Sequence, residues 1–224
     1  MHTLAVVTHT NHERQEWFEE SKASVERSLA SVAHLVDAKH HVIYCPSVEE
    51  LQAYRWKATE LADFIVFVDD DDYIIDDALF QCVNALLDNP EAAVAFTNER
   101  YIDSDGNTME NPHPEQRVLT YSDMAFAAQT CHHLCLIRTS MIDKHAKHLS
   151  EALGWGGEWM LKASAGIRRG AIHIDMDGYA WRRHQGSHSL DLDWQTRYGQ
   201  DYHVMRSYLF SNVHIPGNIP QYRK

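Results

Sequence analysis

Five apolar residues in a row, Phe64-Ile65-Val66-Phe67-Val68, run directly into Asp69-Asp70-Asp71-Asp72. Successive side chains of a strand point to opposite faces, so a strand that is apolar at every position must be covered on both. That is the situation of a strand inside a parallel sheet with helices on either side. In open sheets of this kind ligands bind beyond the carboxyl ends of the strands, which is where the four aspartates begin. Consecutive carboxylates repel one another and gain nothing from packing. At that position they suit a hard divalent cation, manganese or magnesium, which in turn holds phosphate oxygens. The plainer reading, a solvated turn leading into an acidic helix start, is retained for Asp72, Asp76 and Asp77.

The rest of the first hundred residues fits such a sheet. Residues 3–8 read as a strand. A loop with Asn11, His12 and Arg14 follows. Residues 15–36 place Phe18, Val25, Leu29, Val32 and Val36 at helical spacing. His41–Tyr44 reads as a short strand stopped by Pro46. Ser47 caps a helix with Glu49 and Glu50 in its first turn. A helix over Asp76–Leu87 and a strand over Ala92–Thr97 complete the alternation. Strand alternating with helix predicts right-handed crossovers, and so a three-layer α/β/α sandwich, Rossmann-like, around a mostly parallel sheet.

Beyond residue 100 the texture changes. Asp103-Ser104-Asp105-Gly106 reads as a tight turn, because the later ligands of a calcium loop are missing. Residues 131–137, 171–175 and 179–183 read as short strands and 158–165 as a helix. Trp194, Tyr198, Tyr202, Met205 and Leu209 form one stripe of a terminal helix packed on the core. A lid or a homodimer contact is the alternative for that stripe, and the tail from Pro216 is expected to be loose.

The chain has 224 residues, which suits one medium domain, and 44% of them are hydrophobic, enough for a core without disulfides. Cys45, Cys82, Cys131 and Cys135 show no disulfide framework. Cys131, His133 and Cys135 share a strand face, but with no fourth ligand in view they read as core and not as zinc ligands. The first residues have no signal-peptide pattern, and no apolar run approaches the ~20 residues of a membrane span. No integral membrane segment and a cytoplasmic location are therefore expected. The net charge of −12 disfavours nucleic acid as the main partner. The 16 histidines are scattered and imply no metal by number alone.

Val66-Phe67-Val68-Asp69-Asp70-Asp71-Asp72 resembles the Asp-x-Asp-Asp signature of family 2 glycosyltransferases with the GT-A fold. Four further segments are similar to that family, in its order. Val6–Asn11 resembles its first strand and donor loop, with Arg14 and the next helix in place. Cys131–Arg138 resembles the strand that opens the acceptor half. Gly157-Glu158-Trp159 is similar to its Glu-Asp-Trp motif, and Tyr179–Ser189 to its closing Tyr-x-Arg-x-His-x-Gly-Ser segment. The likeness covers residues 3–189. It implies a GT-A domain over 1–189, with a nucleotide-sugar half (1–100) and an acceptor half (101–189), followed by a terminal helix and tail (190–224).

By that resemblance Asp71 binds the metal, His184 supplies a second metal contact or touches the pyrophosphate, and Asp69 and Asp70 lie near the donor's ribose or the metal. Thr8 and His9 lie near the nucleoside, Arg14 in the donor site, and Arg182 or Arg183 near phosphate. Glu158 is the general base. The implied donor is a nucleotide sugar, with a UDP-sugar expected, and the acceptor is an unnamed hydroxyl. The second strand ends Tyr44-Cys45-Pro46-Ser47, without the family's base-holding aspartates. Its Arg-Asn stretch is represented only by Arg55-Trp56-Lys57. The chemistry read from the residues agrees. A divalent ion stabilises the departing diphosphate, one carboxylate suffices to activate a hydroxyl, and a single direct displacement inverts the anomeric centre. Glu158 read plainly is a first-turn glutamate favoured by the helix dipole. Two alternatives remain open: an Asp-x-Asp phosphatase or phosphotransferase, and a nucleotide- or sugar-binding module without catalysis.

Overall fold

The computed structural model describes residues 1–11, 13–45, 47–110, 133–153, 157–187 and 203–211. The first strands and helices are β1 (Thr3–Thr10), α1 (Gln15–Val32), β2 (Asp37–Tyr44), α2 (Val48–Ala58), β3 (Phe64–Asp69), β4 (Tyr73–Ile74) and α3 (Ala78–Asp88). They are followed by β5 (Val94–Ile102), β6 (Cys135–Arg138), α4 (Lys144–Leu153), α5 (Gly157–Arg169) and β7 (Ala171–Arg182). A last helix, α6, spans 203–211.

The strands form one seven-stranded sheet in the order β2-β1-β3-β6-β5-β7-β4. β1 is parallel to β2 and β3, and β5 is parallel to β7. β6 runs antiparallel to β3 and β5, and β4 antiparallel to β7. The sheet is thus mostly parallel, as its apolar strands require. Phe64, Val66 and Val68 pack with Val25, Val32, Leu79 and Leu86 of α1 and α3 on one face. Ile65 and Phe67 pack with Trp56, Trp159 and Met160 of α2 and α5 on the other. Each of these β3 side chains contributes about 1.5–3 kcal/mol by leaving water. Met205 and Leu209 are fully buried in that second layer, so this part of the terminal stripe faces the core. Trp194, Tyr198 and Tyr202 lie outside the described residues.

Several elements differ from expectation: β2 begins at Asp37 and not at His41, and β4 and α4 were not expected. β5 continues to Ile102, and β7 is one strand of 12 residues where two short ones were expected. The β5–β7 register shifts at Asn98, which tolerates the polar residues that look like a break in sequence. At Gly178 a Cβ would lie 2.3 Å from Thr97 Oγ1, so the close approach needs glycine. β6 is limited to Cys135–Arg138. Cys82 and Cys135 are buried core thiols, and burial pushes Cys135 up to about 12. Cys131 lies outside the described residues. No helix among the described residues is long and apolar enough to cross a membrane.

Candidate active site at the carboxyl edge of the sheet

β1, β2 and β3 end side by side at Thr10, Tyr44 and Asp69, and the acidic run leaves from that edge. Helix α1 is shaped to receive it. Ser21, Ser24 and Ser28 are buried on its inner face, small enough to bring the helix close. The Ser21 hydroxyl donates to the Asp69 carbonyl (3.1 Å), and Ser24 Oγ accepts from the Ile74 amide (3.1 Å), so both ends of the acidic turn are pinned to α1. Sequence reading missed these serines, although their three- and four-residue spacing within an apolar stripe was visible.

Asp72 corrects the solvated-turn reading. It is buried, and its carboxylate accepts from the Arg182 amide at 2.7 Å. Burial, and then the neighbouring Asp71 and Asp69, hold its pKa well above the usual carboxylate range. Asp76 and Asp77 are exposed, as a turn and helix start should be. Asp70 is partly buried; burial raises its pKa, opposed by the Thr10 hydroxyl.

On the α1 side, Asp71 Oδ2 lies 2.8 Å from His184 Nε2 and 3.3 Å from Arg14 Nη1. Arg14 also donates to the Gly186 carbonyl at 2.9 Å, and the Gly186 amide donates to His184 Nδ1 at 3.1 Å. The expected residues Arg14, Asp71 and His184 are therefore brought together. A divalent ion fits this pair in spacing, since two ligands at right angles on an ion at about 2.1 Å are about 3 Å apart. The proton placement is different. With Nδ1 accepting from Gly186, neutral His184 carries its proton on Nε2 and donates to Asp71. Coordination through Nε2 therefore requires the proton to move and the Gly186 contact to open. No group of three His, Cys, Asp or Glu among the described residues is arranged around an ion. Further ligands would come from phosphate and water, as is usual for magnesium.

The expectation that Arg182 reaches phosphate is corrected. Its guanidinium is buried and donates to the carbonyls of Asp71 (2.8 Å), Asp103 (3.3 Å) and Ser104 (3.2 Å), and it pairs with Glu20. It bolts the acidic turn to α1 and to the turn after β5. Arg183 stacks on Trp181 and Tyr101 and is not brought to Asp71 either. Thr8 is fully buried, and its hydroxyl meets His40 Nε2 at 2.9 Å.

On the other side of the edge lies Glu158, in the first turn of α5 and nearly buried. Its carboxylate is 3.1 Å from Lys162 Nζ, 3.1 Å from Arg55 Nη2 and 3.8 Å from His133 Nδ1. The same Arg55 nitrogen is 3.5 Å from Asp69 Oδ1, and His133 Nε2 is 3.9 Å from Asp69 Oδ2. His133 stacks on Tyr179, whose hydroxyl accepts from the Asp69 amide at 3.0 Å. His9 stacks on Phe67, with the Arg55 guanidinium over the same ring. Burial, and then Arg55, lower His9 to about 3, so it is neutral. His9 Nε2 and Arg55 Nε are both buried without a hydrogen-bond partner. Buried polar atoms are seldom left so, and two beside one ring mark a place for a polar ligand group. The segment 154–156 lies outside the described residues.

No protein-family model matches the chain, and no curated protein matches its sequence. Its shape does have neighbours. The structure of S. aureus TarS residues 1–349 superposes with a TM-score of 0.51 at 13% identity, over 94% of this chain and 73% of that one. A second S. aureus TarS structure gives 0.56 at 14% identity, over 96% of this chain and 41% of that one. TarS is a family 2 glycosyltransferase. The fold is that of a glycosyltransferase. On this glycosyltransferase fold, the acidic turn and Glu158 occupy one sheet edge, with Asp69 and Arg55 between them.

Proposed function

We propose that the chain is a metal-dependent, inverting glycosyltransferase that moves a sugar from a nucleotide sugar, a UDP-sugar by expectation, to an acceptor hydroxyl. The observation that carries this reading is the pairing of two different carboxylate sites on one edge, Asp71 with His184 and Glu158 with Arg55. When bound at Asp71 and His184, manganese or magnesium neutralises the charge that gathers on the departing diphosphate. Arg14, beside Asp71, adds a fixed positive charge there. Asp69 and the neutral His9 face the donor. Glu158 takes the proton from the acceptor oxygen, and the start of α5 keeps its carboxylate ionised.

A phosphatase needs a free nucleophilic aspartate, whereas Asp69 is engaged by Arg55. A binding module without catalysis predicts a Glu158 turned away from the metal site, whereas Glu158 shares one guanidinium with Asp69 at the start of the acidic run. The test is calorimetry of uridine, guanosine and thymidine diphosphates with manganese, together with hydrolysis of the matching nucleotide sugars. One diphosphate is expected to bind in a manganese-dependent way, more than tenfold more weakly to Asp71→Asn. Equal binding in excess chelator, or an unaffected Asp71→Asn protein, refutes the metal-dependent reading.

A further inference from the structure

One nitrogen of Arg55 touches both halves of the site. Its Nη2 lies 3.1 Å from Glu158 Oε2 and 3.5 Å from Asp69 Oδ1, while its Nε is buried with no partner. The side chain leaves α2 in a nearly closed space, held over Phe67. His9, stacked on the same ring, has an Nε2 that is also unpartnered and buried. One guanidinium nitrogen is thus shared between the acceptor base and Asp69, while Nε is left unsatisfied. A carboxylate receiving two cationic donors is a poor base, because each donor stabilises its charged form. If both Arg55 and Lys162 stayed on Glu158, the acceptor hydroxyl would meet a carboxylate with little appetite for its proton.

We propose that Arg55 is a positioning residue that couples the two substrates: without nucleotide it clamps Glu158 to the donor side of the site, and a nucleotide entering beside His9 and Asp69 draws the guanidinium away and frees Glu158 for the acceptor hydroxyl. This rests on the glycosyltransferase reading above. The fork of an arginine makes the exchange feasible, since five donors allow it to leave one carboxylate while keeping hold of another group. Lys162 stays behind, so the released Glu158 remains ionised, but with one cation fewer. The base is therefore armed only when a donor is present, and nucleotide binds before acceptor is activated.

The coupling makes a prediction of unusual sign. In the free protein Glu158 competes with the nucleotide for Arg55, so removing its charge should help the nucleotide. Calorimetry with the diphosphate that binds, in manganese, is applied to the wild type, Glu158→Gln, Arg55→Gln, the double variant and Lys162→Met. Glu158→Gln is expected to bind about tenfold more tightly, within the usual range of coupling between sites. In the Arg55→Gln background the same change is expected to do nothing. Lys162→Met is expected to bind several-fold more weakly, because Glu158 then leans harder on Arg55. Misfolding cannot produce the gain, and Lys162→Met, an apolar replacement of similar length, keeps the test open if Glu158→Gln is unstable. Unchanged or weaker binding by Glu158→Gln, or an equal gain in both backgrounds, overturns the clamp while leaving the glycosyltransferase reading intact. Absence of nucleotide binding in all five proteins overturns both.

Discussion

Replacing Arg182 by methionine separates a structural bolt from a phosphate ligand. The side chain is 2% exposed and its guanidinium meets three carbonyls, on two different turns, and the Glu20 carboxylate. A hydrogen bond from a charged donor is worth roughly 1.5–3 kcal/mol, and such contacts do not add fully. Breaking a buried charged network by removing one partner costs about 3–5 kcal/mol. For a domain of this size each kcal/mol moves the midpoint by about 2–4 °C, so Arg182→Met should melt roughly 6–20 °C below the wild type. Glu20 is half exposed, so its share is small and Glu20→Gln should lower stability by less than about 1 kcal/mol. The assay is thermal unfolding of both variants alongside diphosphate calorimetry. A bolt loses melting temperature first, and loses nucleotide affinity only as the Asp71 carbonyl comes loose. If Arg182→Met melts with the wild type yet binds diphosphate more weakly, Arg182 is a phosphate ligand and the reasoning fails.

Asp72→Asn should stabilise the protein by roughly 1–2 kcal/mol at pH 8, because the amide still accepts from the Arg182 amide without a buried charge. The sign follows from linkage: the folded pKa is raised, so the wild type is most stable below the unfolded value near 3.9 and loses stability as pH rises toward the folded value. The advantage of the amide should therefore vanish toward pH 4, and urea titrations showing a pH-independent advantage would count against a raised pKa. Gly186→Ala places a Cβ 2.7 Å from Arg14 Nη2 and 3.4 Å from His184 Nδ1, and should loosen the Gly186 amide–His184 Nδ1 contact. Manganese affinity, read by electron paramagnetic resonance, should then rise a few-fold if opening that contact is what frees His184 Nε2, and an unchanged affinity refutes the idea. Glu158→Gln should lower sugar transfer by about 100-fold or more, the usual loss when a general base goes. Transfer near the wild-type rate in a donor-to-acceptor assay removes Glu158 from that role.

The sheet was legible because its signals are local. β3 announces its two buried faces in five consecutive residues, and Ser47 announces the start of α2, where its hydroxyl accepts from the Glu50 amide. β7 was not legible as one strand, because Asp175, Asp177 and Gly178 look like a turn until Gly178 is seen against Thr97. The site divides in the same way. Asp71 and His184 could be paired from their motifs, although 113 residues separate them. The four aspartates could not be told apart, since identical letters carry no burial. Their fates are set by partners far along the chain: Arg182, 110 residues from Asp72, and Tyr179, 110 residues from Asp69.

Arg55 shows the limit most clearly. In sequence it is one cation of an ordinary helix end, beside Trp56 and Lys57. Helical geometry turns Trp56 into the core, where it is 2% exposed, and carries Arg55 to the carboxyl edge. There β3 presents Asp69 and α5 presents Glu158, and one nitrogen of the guanidinium meets both. The residue's meaning lies in that three-element junction, which no local pattern encodes. A lysine at position 55 would read almost identically in sequence, yet its one nitrogen could meet the two carboxylates without keeping a separate N–H in reserve, as Arg55 does at Nε.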